Sequence, residues 1–115
     1  GGHYSQAIVS HGLVFVSGLL PIIPNTKKDI PDGITNQLNQ IFHNLKAILN
    51  AADSDLKHLV SVQIFIPNVS FWTEINEGYK CILGEHKPAR IMIPCGELHY
   101  GALIEVSVVA EVQRS

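Results

Sequence analysis

From residue 33 to residue 52 the apolar side chains recur at steps of three and four: Ile34, Leu38, Ile41, Leu45, Ile48 and Leu49, with Asn36, Asn39, Lys46 and Asn50 between them. That spacing puts all six on one stripe of an amphipathic helix and leaves the other side polar. Asp32 stands where an N-cap would be. A helix with a single stripe must lay it against an apolar surface, and the flanking segments supply one. Residues 60–66 switch to a period of two, with Val60, Val62, Ile64 and Ile66 on one face and Ser61 and Gln63 on the other. A second one-striped helix is expected from residue 70 or 71 to 83, with Phe71, Ile75, Tyr79 and Ile82 buried and Gly84 ending it.

The remaining segments read as strands. Residues 4–9 and 13–17 flank His11-Gly12, a two-residue turn that favours a hairpin. Pro21 and Pro24 close the second strand, and 25–31 is a polar loop. Strands are also expected at 89–95 and 102–112. The order is ββαβαββ, an α+β domain spanning residues 1–115, with two helices on one face of a mixed, largely antiparallel sheet. The other sheet face then needs a cover. With 46% apolar and only 16% charged residues, the chain has apolar surface to spare, and self-association is the expected cover.

Several classes of function are disfavoured. Net charge is −2, and only Lys27 and Lys28 stand side by side, too little for nucleic-acid binding by counterion release. The apolar runs are too short to cross a bilayer. Two cysteines, Cys81 and Cys95, without CxxC spacing make neither a disulfide framework nor a metal knuckle. Histidines at 3, 11, 43, 58, 86 and 99 form no HxH or HxxxH pair, so no metal site is expected. The chain opens at Gly1-Gly2 without methionine, which implies something upstream, and no signal peptide can be read in the residues after that pair. The expected setting is a reducing one, the cytoplasm, or the mitochondrion in a eukaryote.

Two charged residues stand out. Arg90 opens an apolar strand, where a planar guanidinium could grip a carboxylate with two parallel hydrogen bonds. Glu105 is alone in Ala102-Leu103-Ile104-Glu105-Val106, on either a solvated face or a polar cleft; alternation leaves both open.

Six fragments, in order and at compatible spacing, carry a resemblance across nearly the whole chain. They are Gly2-His3-Tyr4-Ser5-Gln6-Ala7, Leu13-Val14-Phe15-Val16-Ser17-Gly18, Asn44-Leu45-Lys46-Ala47, Asn76-Glu77-Gly78-Tyr79, His86-Lys87-Pro88-Ala89-Arg90, and the run from Gly101 to Val106. The chain resembles the RidA/YjgF family of imine deaminases. The resemblance implies a chorismate-mutase-like fold and a homotrimer with clefts between subunits. It also implies hydrolysis of 2-imino and enamine acids, such as 2-aminoacrylate or 2-iminobutanoate, to 2-oxo acids and ammonia, without metal or organic cofactor. By the same resemblance Arg90 holds the substrate carboxylate and Glu105 positions the hydrolytic water. Tyr4, Ser17, Gly18, Asn76 and Met92 line the cleft, Gly18 through its backbone N–H. For Ser17 and Asn76, local hydrogen bonds at element ends are an equally good reading.

Three positions depart from the family pattern: Met92 where a cysteine is usual, His3 where proline is, and Leu19 where glutamine often follows Ser-Gly. Cys95 does not replace the missing thiol, since three residues along a regular strand is the opposite face. Met92 and Leu19 are expected to make the cleft more apolar. The rival to an enzyme is a non-catalytic trimer that binds small carboxylates for regulation, with a chaperone-like interaction protein behind it. Glu105 discriminates, because a binding site has little use for a carboxylate that positions water.

Overall fold

In the computed structural model residues 2–113 are described; Gly1, Arg114 and Ser115, the ends of the expected domain, lie outside them. The elements are β1 (Ala7–Ser10), β2 (Leu13–Leu19), α1 (Ile34–Ala51), β3 (Leu59–Ile66), α2 (Trp72–Leu83), β4 (Ala89–Pro94) and β5 (Glu105–Glu111). They form one sheet in the order β1-β2-β5-β3-β4. β3 and β4 are parallel, joined by the α2 crossover that such a pair requires, and the other three pairings are antiparallel. The mixed, largely antiparallel α+β fold expected from the sequence is what the chain adopts.

Both helices cover one face. Val14, Val16, Val62, Ile64, Ile66, Val106 and Val108 of the sheet pack with Leu38, Ile41, Leu45 and Leu49 of α1 and Ile75 and Tyr79 of α2 in a single core. Among the described residues no element covers the other face. Phe15 and Ile91 are 45% and 54% exposed there, beside Ser61 and Gln63, and the Ser107 hydroxyl donates to Gln63 Oε1 at 3.0 Å.

The departures from the expected elements have local causes. His11 and Gly12 both take positive φ, 53° and 76°, the twist a two-residue hairpin demands. β1 starts at Ala7 rather than at Tyr4, because its partner strand is interrupted opposite. Val16 of β2 pairs with Val108 and the next pair is Leu19 with Val106, so Ser17 and Gly18 form a bulge. Residues 5 and 6 attach to that bulge instead, Ser17 N–H donating to Gln6 O (3.0 Å) and its hydroxyl to Ser5 O (2.6 Å). A second bulge sets Leu59 and Ser61 of β3 opposite adjacent residues of β5. Val60 is therefore turned out, at 42% exposed, and Leu59 fills the core position expected of it.

The start of α1 is capped by Gly33 at φ 84°, with no side-chain cap, so Asp32 does not serve. The buried Gln37 ties this corner together. Its amide N–H donates to Pro31 O at 3.0 Å and its carbonyl accepts from Leu103 N–H at 2.8 Å. That second bond holds Leu103 outside the ladder, so the last strand begins at Glu105, three residues later than alternation implies.

Candidate active site

Arg90 lies at the start of β4 in register with the buried Val62, hence on the helix-covered face, beneath α2. Trp72, Asn76 and Tyr79 sit at i, i+4 and i+7 on that helix, and these are the residues it meets. Arg90 Nη1 donates to Asn76 Oδ1 at 2.9 Å. The guanidinium carbon stands 4.9 Å from the Tyr79 ring centroid and 5.6 Å from that of Trp72, within cation–π range of both. No acidic side chain among the described residues pairs with it. The charge is thus half-buried, held in place by neutral groups, with part of its donor fork still to be used.

Tyr79 is buried, packs edge-on against Phe42, and its hydroxyl has no hydrogen-bond partner among the described residues. Burial raises its phenol above the ordinary value, and the Arg90 charge opposes that rise. Met92 follows on the same face, in register with Ile64 and packed against the core. A cleft of about 740 Å³ opens beside Arg90, between the end of α2 and the start of β4, reaching Leu83, His86 and Lys87.

The second corner forms around the β2 bulge. A side chain at Gly18 would collide with Glu105 Oε2, so the absence of Cβ there is what lets the carboxylate lie against the backbone. Glu105 pairs with Phe65 on the open face of the sheet, is half-buried, and has no hydrogen bond or ion pair from another side chain among the described residues. Ser17 spends its proton on Ser5 O, which anchors the segment carrying Tyr4; Tyr4 itself is 68% exposed. Leu19, past the bulge, packs into the core at 9% exposed and also lines the cleft beside Tyr4 and Gly18.

The two corners do not meet within one chain. Arg90 is opposite Val62 of β3 and Glu105 is opposite Phe65, on strands either side of β3 and on opposite faces. Three residues along and two strands across is roughly 14 Å. Arg90 and Asn76, with Met92 nearby, make one group; Tyr4, Ser17, Gly18 and Glu105 make the other. Sequence reading missed the parts of Trp72 and Tyr79 in holding Arg90, although their spacing from Asn76 places all three on one helical face. Among the described residues no three His, Cys, Asp or Glu side chains converge as metal ligands, and no helix is long and apolar enough to cross a membrane.

A five-stranded sheet with helices on one face, an arginine clamped beneath a helix and a carboxylate lying behind a glycine bulge together define a small α+β protein with two separate charged corners. The chain belongs to the RidA/YjgF family: the family model described as "Endoribonuclease L-PSP" matches residues 1–112. A RutC family protein of Pyrococcus horikoshii is 35% identical over 109 residues, which are 95% of this chain and 86% of that protein. The chloroplastic Reactive Intermediate Deaminase A of Arabidopsis thaliana is 33% identical over 95% of this chain and 58% of its own length. Among solved structures, E. coli TdcF with bound serine superposes with a TM-score of 0.89 at 30% identity, covering 99% of this chain and 90% of that one.

Proposed function

We propose that the protein hydrolyses small 2-imino and enamine acids, such as 2-aminoacrylate and 2-iminobutanoate, to 2-oxo acids and ammonia. The reaction takes place in clefts shared by neighbouring subunits of a homotrimer with a chorismate-mutase-like arrangement. The observation that carries this reading is the state of Arg90, a half-buried cation fixed by an amide and two rings but lacking an anion among the described residues. A substrate carboxylate supplies that anion, and a planar fork fixes its plane as well as its position.

In the shared cleft the Arg90 corner of one subunit faces the Glu105 corner of the next. Asn76 keeps the guanidinium oriented, Met92 follows on the same face of β4, and Gly18 lends its backbone N–H to the carboxylate. Tyr4 forms an outer wall. Glu105 holds a water against C2 of the imine and takes its proton as the C–O bond forms. Glu105 returns that proton to nitrogen, giving the neutral carbinolamine. It then passes the hydroxyl proton to nitrogen as the C=O bond forms and the C–N bond breaks, so ammonia leaves and one water is consumed per 2-oxo acid formed. The uncovered sheet face, with Phe15 and Ile91 about half exposed, supports self-association. The serine held by E. coli TdcF and the name of the Arabidopsis relative support the substrate class. A trimer that only binds carboxylates would leave the unpaired Glu105 without a task. Free, exposed Cys81 and Cys95 suit a reducing compartment, the cytoplasm or the mitochondrion.

The test uses a pyridoxal-phosphate enzyme that releases 2-aminoacrylate from serine, with pyruvate timed with and without this protein. Arg90→Ala and Glu105→Gln are then assayed alone and after being unfolded and refolded together at equal amounts. If each cleft takes Arg90 from one subunit and Glu105 from its neighbour, random trimers recover about a quarter of the wild-type rate. A wild type that does not hasten pyruvate release rejects the deaminase; two dead variants that stay dead when mixed reject the shared cleft.

A further inference from the structure

We infer that the substrate's side chain lies in a second, apolar cleft that begins at Gly18, so that the protein prefers 2-imino acids with branched or extended apolar side chains to the three-carbon acid. This rests on the deaminase reading above and adds to it the part of the substrate that Arg90 and Glu105 do not touch.

The cleft measures about 460 Å³ and lies between the segment that precedes β1, the residues that come after β2, and the outer side of α1. Tyr4 and Gly18 are part of its lining, so it adjoins the corner that carries Glu105. Its apolar walls include Leu19, Leu20, Ile22, Ala47 and Ile48. The polar groups between them are already engaged. Asn44 donates to Ile22 O at 2.7 Å and accepts from Gln40 Nε2 at 2.9 Å. The Thr26 hydroxyl donates to Ile23 O at 2.6 Å and accepts from Asp29 N–H at 3.3 Å. Gln6 and Lys27 are exposed, where the polar ends of such side chains stay hydrated. What remains to offer an occupant is a mixed surface in which hydrocarbon is the larger share. The volume falls among small-molecule pockets and far exceeds what the methyl group of 2-iminopropanoate would fill. The occupant is assigned as the substrate side chain because the cleft shares Gly18 with the corner where the reacting carbon is held.

Stable 2-oxo acids of growing length are the probes: pyruvate, 2-oxobutanoate and 4-methyl-2-oxopentanoate. Their binding to the assembled protein is measured by calorimetry and by the fluorescence of Trp72, the chain's only tryptophan, which stands 5.6 Å from the Arg90 guanidinium carbon. Affinity should rise about fourfold for each carbon added. Ala47 is on the exposed side of α1, so Ala47→Phe narrows the cleft without disturbing the core. It should weaken the longest acid at least about tenfold more than pyruvate. A flat series in the wild type overturns the side-chain cleft while leaving the deaminase reading in place. So does a steep series that Ala47→Phe leaves untouched, or one that it lowers equally for all three acids. Failure of every acid to bind overturns both.

Discussion

The Arg90 corner and the Glu105 corner are built on opposite principles. Arg90 stands on a regular strand under a regular helix, and its charged end touches an amide and two aromatic rings. Glu105 stands where a strand begins, against a bulge, and its carboxylate touches backbone that had to lose a Cβ to admit it. The first corner is rigid and already satisfied in all but its counter-ion. The second is left without a side-chain partner among the described residues. A group that holds a substrate gains from being fixed beforehand, because less freedom is lost on binding. A group that moves a proton must not have its oxygens committed elsewhere.

The sharpest way to break that contrast is Glu105→Gln. The amide keeps the shape beside Gly18 but cannot take a proton from water, so kcat should fall by about 10²–10⁴-fold while 2-oxo acid binding persists. Equal losses in binding and turnover would make both corners holding sites. Next comes Arg90→Ala, expected to lower kcat/KM by about 10²-fold or more, with the mass of the assembly unchanged by light scattering. Arg90→Lys should restore little, since an ammonium cannot reproduce the planar fork. Full rescue by lysine would mean that charge alone matters and that the Asn76, Tyr79 and Trp72 scaffold is incidental.

The smallest effect separates holding from stability within the Arg90 corner. Tyr79→Phe retains the ring beneath the guanidinium and removes a buried hydroxyl without a partner. It should stabilise the fold by about 1 kcal/mol and leave kcat/KM within about twofold of wild type. The gain should also depend on pH. Burial raises the Tyr79 phenol above its unfolded value. The wild type therefore keeps this group's contribution below about pH 10 and loses it as pH climbs through the raised value, while the phenylalanine variant has nothing there to ionise. Thermal melts of both proteins between neutral and alkaline pH check the sign. A variant that keeps or gains stability yet loses activity would give the phenol a part in the chemistry.

Much of the fold was legible because each helix has one apolar stripe and each interior strand alternates. Period alone placed α1, α2 and the order of elements. The bulges were not legible. Nothing in Val60 or Ser17 announces an extra residue; the bulge is a compromise between strands far apart in sequence. It sent Val60 to water and Leu59 to the core. The start of the last strand was misread for a related reason, since Leu103 gives its N–H to Gln37, 66 positions earlier, rather than to a neighbouring strand. For the site, resemblance named Arg90, Glu105 and the residues around Gly18. Which of them share a corner depended on the pairing of β3 with β4 and β5, which no local pattern contains.

The order β1-β2-β5-β3-β4 puts the strand made last in the middle of the sheet. While the chain is being synthesised, the β1-β2 hairpin and the β3-α2-β4 unit each wait with an open edge for the same missing strand. Neither can complete its backbone hydrogen bonds until Glu105–Glu111 has left the ribosome. Folding is therefore a late, nearly all-or-none event for this chain, and a product stopped before Glu105 would be two sticky halves rather than a smaller protein. The same strand that carries Glu105 is the one that closes the sheet, so a copy able to present Glu105 beside Gly18 is a copy that has finished folding.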